Sequence, residues 1–450
     1  MPEYNSAMND VNGIHASTIL RTLYELILRT DGSEDNAARH LIRSTIKRHH
    51  RAELKAFARI FQTGNKVFQR DALSTIRAVL IKPVNDACNL RCTYCYEGEE
   101  GTRSMGKSMT DSGMERVIVE ILASPRRDIQ FLWHGGEPLL AGLDFYRRAI
   151  EVQRANNPFN TEIYNAIQTN GTLLSQEWID FFRQNNFGIS LSIDGSKSLH
   201  DASRIDPRAK GTHSSVIAAV KLLQKNAIAF NVISVVGPGH AGRDRDYWSF
   251  IREQGITSFD LHPSNGTGTS GPKAVSPKVF SDFVNAVFDH WLAEGDSTVR
   301  IGLIDDFFRL LSGNPPQTCY HAGGCSDIIA VEGNGRVIPC TRPFDGSQYT
   351  FGNTDDASLL DIVASERFKS FRERDIASQL GSIGCRWYEI CHNGCPQQRT
   401  TAGQQDVGGQ GYYCQCRTGV QGGYFEIWEH AYGRVQDLFS RGATSELAKD

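Results

Sequence analysis

Between residues 77 and 294 the chain alternates six times between a short apolar run and an amphipathic stretch of helical period, and no other feature restricts its fold as strongly. The apolar runs are 78–82, 129–133, 163–169, 188–193, 230–236 and 259–262. The amphipathic stretches that follow them are 110–123, 143–156, 175–186, 212–226, 244–254 and 277–294. Strand, helix, then strand is the connection a parallel sheet requires, because the helix returns the chain along the sheet and covers its face. The prediction is an α/β fold built on a partial (β/α)6 barrel of the TIM type. Six units fall short of the eight that close such a barrel, so a lateral opening wide enough for a bulky substrate is expected.

Three further regions flank this barrel, which is placed at 76–300. Residues 1–75 read as an N-terminal helical region, with Ile19, Leu23 and Ile27, then Leu41, Ile42 and Ile46, then Leu54, Phe57 and Phe61 at helical spacing. Arg43, Lys47, Arg48, Arg51, Lys55 and Arg59 give it a basic face, which suits a solvated helix or the docking of an acidic peptide. After Pro315-Pro316 the alternation stops, and glycines, cysteines and short segments fill 315–425, as where metal cross-links replace a deep apolar core. Residues 426–450 are expected to form a C-terminal helix and tail. The loop 264–276, rich in Gly, Ser and Thr, is a candidate lid.

The N-terminus is polar and has no secretion signal, and no run of about 18 apolar residues is present. A cytoplasmic protein is expected, without a membrane partner. A net charge of −3 gives no argument for nucleic acid. In a reducing compartment eleven cysteines point to metal or cluster ligation rather than disulfides. Three of them lie at 88–95 and eight at 319–416, which suggests two separate metal-handling modules.

The first group reads Cys88-Asn89-Leu90-Arg91-Cys92-Thr93-Tyr94-Cys95 and directly follows the first strand. Three thiolates so spaced can each bind one iron of a cubane and leave the fourth iron open, whereas a zinc knuckle wants a fourth ligand that is not nearby. With Tyr94 before the last cysteine, and Gly135-Gly136-Glu137-Pro138 after the second strand, the chain resembles the radical SAM superfamily. In that family the glycine turn binds the amino group of S-adenosylmethionine (SAM). Gln168 and Asn170 end the third strand, and Ser192 and Asp194 end the fourth, where polar groups can meet a ribose and an amino-acid moiety. Arg204 matches the arginine that pairs with the SAM carboxylate in similar enzymes. The resemblance implies reductive cleavage of SAM and a 5'-deoxyadenosyl radical that abstracts hydrogen from the substrate.

The later cysteines resemble the SPASM extension of radical SAM peptide-modifying enzymes, which carries two auxiliary clusters. That resemblance implies three iron-sulfur clusters in all, of the 4Fe-4S type, one binding SAM and two auxiliary. It implies Cys319, Cys325, Cys340 and Cys395 for the first auxiliary cluster, and Cys385, Cys391 and Cys414 for the second. Ser382 stands where the family has a further cysteine, and Cys416 is a replacement candidate. Zinc is the alternative metal for these thiols.

The same resemblance implies a polypeptide substrate and a flavodoxin- or ferredoxin-type reductant. The sequence places first a maturase that binds a ribosomal precursor peptide with its leader and installs an oxidative carbon-carbon cross-link of the cyclophane type. An anaerobic sulfatase-maturing enzyme, making formylglycine, is the alternative. It is placed second because Thr341 stands where those enzymes carry a basic aspartate after the cysteine matching Cys340, with Asp345 the substitute candidate. A non-catalytic iron-sulfur electron carrier is the reading from another class.

Overall fold

Strand β1, Ala78–Lys82, is buried along its whole length because it is paired on both edges and covered on both faces. On one side lies β2, Asp128–Trp133, parallel and in register from Ala78 opposite Gln130 to Ile81 opposite Trp133. Beyond β2 the sheet continues in chain order through β3 (Glu162–Thr169), β4 (Gly188–Ser192), β5 (Asn231–Val236), β6 (Ser258–Pro263) and β7 (Arg300–Ile301), every pair parallel. The structure is a computed structural model that describes residues 72–97, 108–264, 274–312, 314–342, 344, 347–380, 385–392, 394–397 and 422–447. The N-terminal helical region up to residue 71, most of the candidate lid, Asp345, Ser382, Cys414 and Cys416 lie outside the described residues.

All six strands read from the sequence are present, and so are the helices between them: α1 (Asp111–Leu122), α2 (Leu143–Ala155), α3 (Gln176–Gln184), α4 (His213–Lys225), α5 (Asp244–Glu253) and α6 (Pro277–Glu294). Hydroxyl caps start several of them. The side chains of Thr110, Ser175 and Ser276 accept from the free N–H groups of Gly113, Trp178 and Val279. The structure adds β7, whose two residues are too short to show a period.

It also adds β8 (Ile328–Glu332), β9 (Arg336–Ile338) and β10 (Gly352–Asn353) from the cysteine-rich region. These form an antiparallel meander whose first strand pairs parallel with the free edge of β1, in register from Ala78 opposite Ile328 to Lys82 opposite Glu332. One ten-stranded sheet results, in the order β10-β9-β8-β1-β2-β3-β4-β5-β6-β7. Contacts divide the chain into a large unit, Arg70–Gln379 with Glu389–Asp450, and a small one, Met1–Gln69 with Leu380–Tyr388.

Alternate strand residues separate the two faces of the sheet. Ile129, Phe131 and Trp133 of β2 are fully buried toward the helices. The Trp133 ring meets Phe145 and Tyr146 of α2 edge-on, with centroids at 5.9 and 5.2 Å. Its indole N–H donates to Asn165 Oδ1 at 3.0 Å. On the concave side Ala78, Leu80 and Ala330 pack with Leu132, Ile328, Ile338 and Cys340 into a small core across the β1–β8 seam. The C-terminal helix α7, Tyr424–Leu447, lies on α6, where Tyr424 meets Phe280 at 5.5 Å and His430 and Arg434 reach Asp289 at 3.0 and 2.9 Å. Among the described residues no helix is long and apolar enough to cross a membrane.

The substitution Trp133→Ala removes the largest buried ring of this layer and one of the two donors to Asn165 Oδ1, leaving Gln153 Nε2 at 3.1 Å. Urea unfolding followed by fluorescence should show a loss of roughly 3–5 kcal/mol.

Candidate active site

The loop leaving β1 turns back on itself, with Ala87 N–H donating to Val84 O at 3.0 Å and Asn85 at a φ of 52°. It carries Cys88, Cys92 and Cys95, all partly exposed and none in a disulfide. Its back is strapped to the segment after β4, where Arg91 and Thr93 N–H groups donate to Ile205 and Ser203 carbonyls at 2.7 and 2.9 Å. Burial pushes the Cys88 thiol up to about 12, and neighbouring Glu137, Cys92 and Cys95 charges push the same way. Three thiols placed to repel one another as anions are a donor set for a cationic centre.

The turn after β2 presses onto this loop. Gly136 N–H donates to Asn85 O at 2.7 Å and Glu137 N–H to Ala87 O at 2.8 Å. A Cβ on Gly136 would lie 2.1 Å from Ala87 O, so only glycine permits the approach. Gly135 adopts a φ of 111°. The carboxylate of Glu137, fully buried, is committed to protein donors: Thr169 Oγ1 at 2.7 Å, Asn170 N–H at 2.8 Å and Leu139 N–H at 3.1 Å. Burial raises its carboxyl to about 7 against the pull of those three bonds. Pro138 is buried and its carbonyl accepts from the Tyr146 hydroxyl at 2.9 Å. Among these four residues, Gly136 and Glu137 bond the loop through their backbone N–H groups, while the Glu137 carboxylate and the Pro138 carbonyl anchor the turn to its neighbours.

The strand-end polar residues are bonded to other protein groups. Asn170 Nδ2 donates to Asn89 Oδ1 at 2.9 Å and reaches Cys88 Sγ at 3.8 Å. Gln168 Nε2 donates to Ser192 Oγ at 2.9 Å across the concave face. Tyr94, Asp194 and Arg204 interlock: the Tyr94 hydroxyl donates to Asp194 Oδ2 at 2.5 Å, and Arg204 Nε lies 3.0 Å from the same oxygen. The Arg204 guanidinium sits over the Tyr94 ring at 5.4 Å. Arg204 is thus paired within the protein, as an ion pair rather than an aligned hydrogen bond.

Two groups in this region are not apparent from the sequence. Lys82, the last residue of β1, is buried and donates to Glu97 Oε2 at 2.6 Å and Glu332 Oε1 at 3.3 Å. Burial works against its charge, but the two carboxylates keep it protonated and above its usual value. The second group comprises His134 and His262 at the ends of β2 and β6, held neutral by burial and by nearby charge, Lys82 and Arg342 for His134 and Arg342 for His262, at about 4 and about 3 respectively. Burial against a charged neighbour is a tertiary property with no local signal.

In the cysteine-rich region Cys319, Cys325, Cys340 and Cys395 come together. The Cys319 and Cys325 thiols share a hydrogen bond that favours the Cys319 thiolate and raises Cys325, and Cys395 lies near enough to disfavour ionisation of both Cys325 and Cys340. Cys391 is buried, and Cys385 belongs to the small unit. Among the described residues no three His, Cys, Asp or Glu side chains are gathered tightly enough to hold a single metal ion. A cubane takes each thiolate at a different iron, so its ligands stand further apart. The residues present fit such a cluster.

Residues 83–247 match the family model of the radical SAM superfamily, and residues 319–396 match that of an iron-sulfur cluster-binding domain, SPASM. A cysteine-type anaerobic sulfatase-maturating enzyme from Clostridium novyi is 30% identical over 72% of this chain and 88% of its own length. The serine-type enzyme of Bacteroides thetaiotaomicron is 30% identical over 78% of this chain and 88% of its length. The solved structure of anSMEcpe with AdoMet and the Cp18Cys peptide superposes with a TM-score of 0.68 at 27% identity, covering 81% of this chain and 99% of that one. The chain belongs to the radical SAM superfamily and carries a SPASM domain. SAM and several iron-sulfur clusters are the cofactors of this radical SAM/SPASM protein.

Its buried Asp194 carboxyl suffers from desolvation, yet Arg204, His200, Tyr94 and the Val235 N–H hold it below its ordinary value of 3.8. In Asp194→Asn the Arg204 charge stays buried without its partner, which should cost roughly 3–5 kcal/mol at neutral pH in urea unfolding. A carboxyl depressed in the folded state stabilises above its ordinary value and loses that contribution as pH falls further. The gap between the two proteins should therefore close on acidification below 3.8.

Proposed function

We propose that this chain oxidises a side chain within a polypeptide, converting a serine or cysteine to formylglycine as in the maturation of a sulfatase. The observation that carries this reading is the reach of the likeness, which runs through the barrel and the SPASM thiols together and spans 88% of the length of both the cysteine-type and the serine-type relatives. The order of the two readings made from sequence alone is thereby reversed.

Cys88, Cys92 and Cys95 would hold the SAM cluster, and Cys319, Cys325, Cys340 and Cys395 an auxiliary one. Cys391, Cys414 and Cys416 are ligand candidates for the second. When bound, the cluster and SAM supply a one-electron cleavage that yields a 5'-deoxyadenosyl radical able to take hydrogen from a substrate carbon. The chain's own part is to position and to exclude water. Asn170 steadies the thiolate loop through Asn89 and Cys88, and the Gln168–Ser192 pair presents polar groups to the concave face. His134, whose Nδ1 accepts from the Gly135 N–H at 2.7 Å, and His262 are both neutral at pH 7 and do not repel a cation. Asp345, the first carboxylate after Cys340, is the proposed base. A flavodoxin- or ferredoxin-type protein is the proposed reductant.

A second reading, cross-linking of a leader-bearing precursor peptide, is favoured by Thr341, which leaves no carboxylate directly after Cys340. Anaerobically reconstituted protein should be incubated with SAM, dithionite and either a sulfatase-derived peptide or the product of a small reading frame adjoining the gene. The expected result is 5'-deoxyadenosine together with a peptide aldehyde that reacts with a hydrazide. Loss of two hydrogens from the adjoining peptide with no hydrazide labelling would move the assignment to a cross-link. Absence of 5'-deoxyadenosine would overturn both. Replacing Cys88, Cys92 and Cys95 together by alanine should abolish 5'-deoxyadenosine formation altogether.

A further inference from the structure

Where a carboxylate is missing after Cys340, a guanidinium follows one residue later. Arg342 Nη1 lies 4.0 Å from Cys395 Sγ, and its Cζ stands 5.8 Å from the centre of the Tyr320 ring. Its backbone N–H donates to the Cys340 thiol. Tyr320 in turn directly follows Cys319. One residue therefore touches two of the four gathered thiols and stacks on the neighbour of a third.

We propose that Arg342 sets the reduction potential of the auxiliary cluster held by Cys319, Cys325, Cys340 and Cys395, raising it above that of the same site without the cation. The inference rests on the ligand set proposed above. A cluster gains one negative charge on one-electron reduction, so a fixed cation and N–H groups aimed at its sulfurs favour the reduced form. The effect is large where water is excluded, because a low local dielectric strengthens charge interactions. Tyr320 is buried and offers its ring face to the guanidinium, which fixes the plane from which the N–H groups point.

Lysine would keep the charge but lose the planar fork of donors, and methionine would lose both. The test is a redox titration followed by electron paramagnetic resonance, on the anaerobically reconstituted full chain and on Arg342→Lys and Arg342→Met. One auxiliary couple should move to more negative potential in Arg342→Met and by a smaller amount in Arg342→Lys, with the couple of the Cys88, Cys92 and Cys95 cluster moving least. Potentials unchanged in both variants at full iron content would overturn the proposal. So would a change confined to peptide affinity, which would place Arg342 on the substrate instead. If Arg342→Met fails to retain its cluster, the shift or constancy of the Arg342→Lys couple decides. Cys395→Ala tests the ligand set separately: full iron content with an unaltered spectrum would remove Cys395 from it, whatever the Arg342 titrations show.

Discussion

Two stretches of backbone, 85–87 after β1 and 135–137 after β2, lie in direct contact, and the whole site depends on that approach. Two hydrogen bonds join them, from Gly136 to Asn85 and from Glu137 to Ala87, and no side chain fits between. From there the bonding runs on. Glu137 receives Thr169 and Asn170 at the end of β3, and Asn170 returns to Asn89 and Cys88 in the thiolate loop. The result is a closed ring of polar bonds through the ends of three neighbouring strands. A loop that must offer its sulfurs to an inorganic cluster cannot be held by apolar packing on that side, so hydrogen bonds to a rigid turn do the holding.

The β1–β8 pairing has a comparable role at larger scale. Because β8 extends the barrel sheet in parallel register, the cysteine-rich region is built onto the strand that launches the thiolate loop. Lys82 and Glu332 face each other across this seam at the last paired position, and Glu97, two residues past Cys95, completes the buried triad. Burying three charges is costly unless each is paired. Here one ammonium serves two carboxylates, and Arg336 adds a second partner for Glu332 at 2.7 Å. The arrangement ties the barrel, the thiolate loop and the SPASM strands to a single point.

Much of this was legible in the chain. The strand and helix periods between 77 and 294 survive folding because each element buries one face against a regular neighbour, and the observed ends differ from the expected ones by a residue or two. Cysteine spacing also survives, since ligands on one short loop must follow one another closely. Glu137 illustrates where legibility stops. The GGEP turn is visible in sequence, but the destination of its carboxylate, a strand end thirty residues on, is not. The choice between formylglycine and a cross-link was also hidden, because thiol spacing answers to the clusters that both chemistries use. The likeness to sulfatase-maturating enzymes over 72–78% of the chain is what reordered the two proposals.

By itself the sequence determined the parallel α/β barrel, the thiolate loop and the presence of a second cysteine module, all of which rest on short-range periodicity and spacing. Only the tertiary structure decided that β8 would pair with β1, that Lys82 would be buried between Glu97 and Glu332, and that Arg342 would reach Cys395 and Tyr320. Those are meetings of residues far apart in the chain. Their energies come from pairing and desolvation, which depend on distance in space and leave no periodic trace along the sequence.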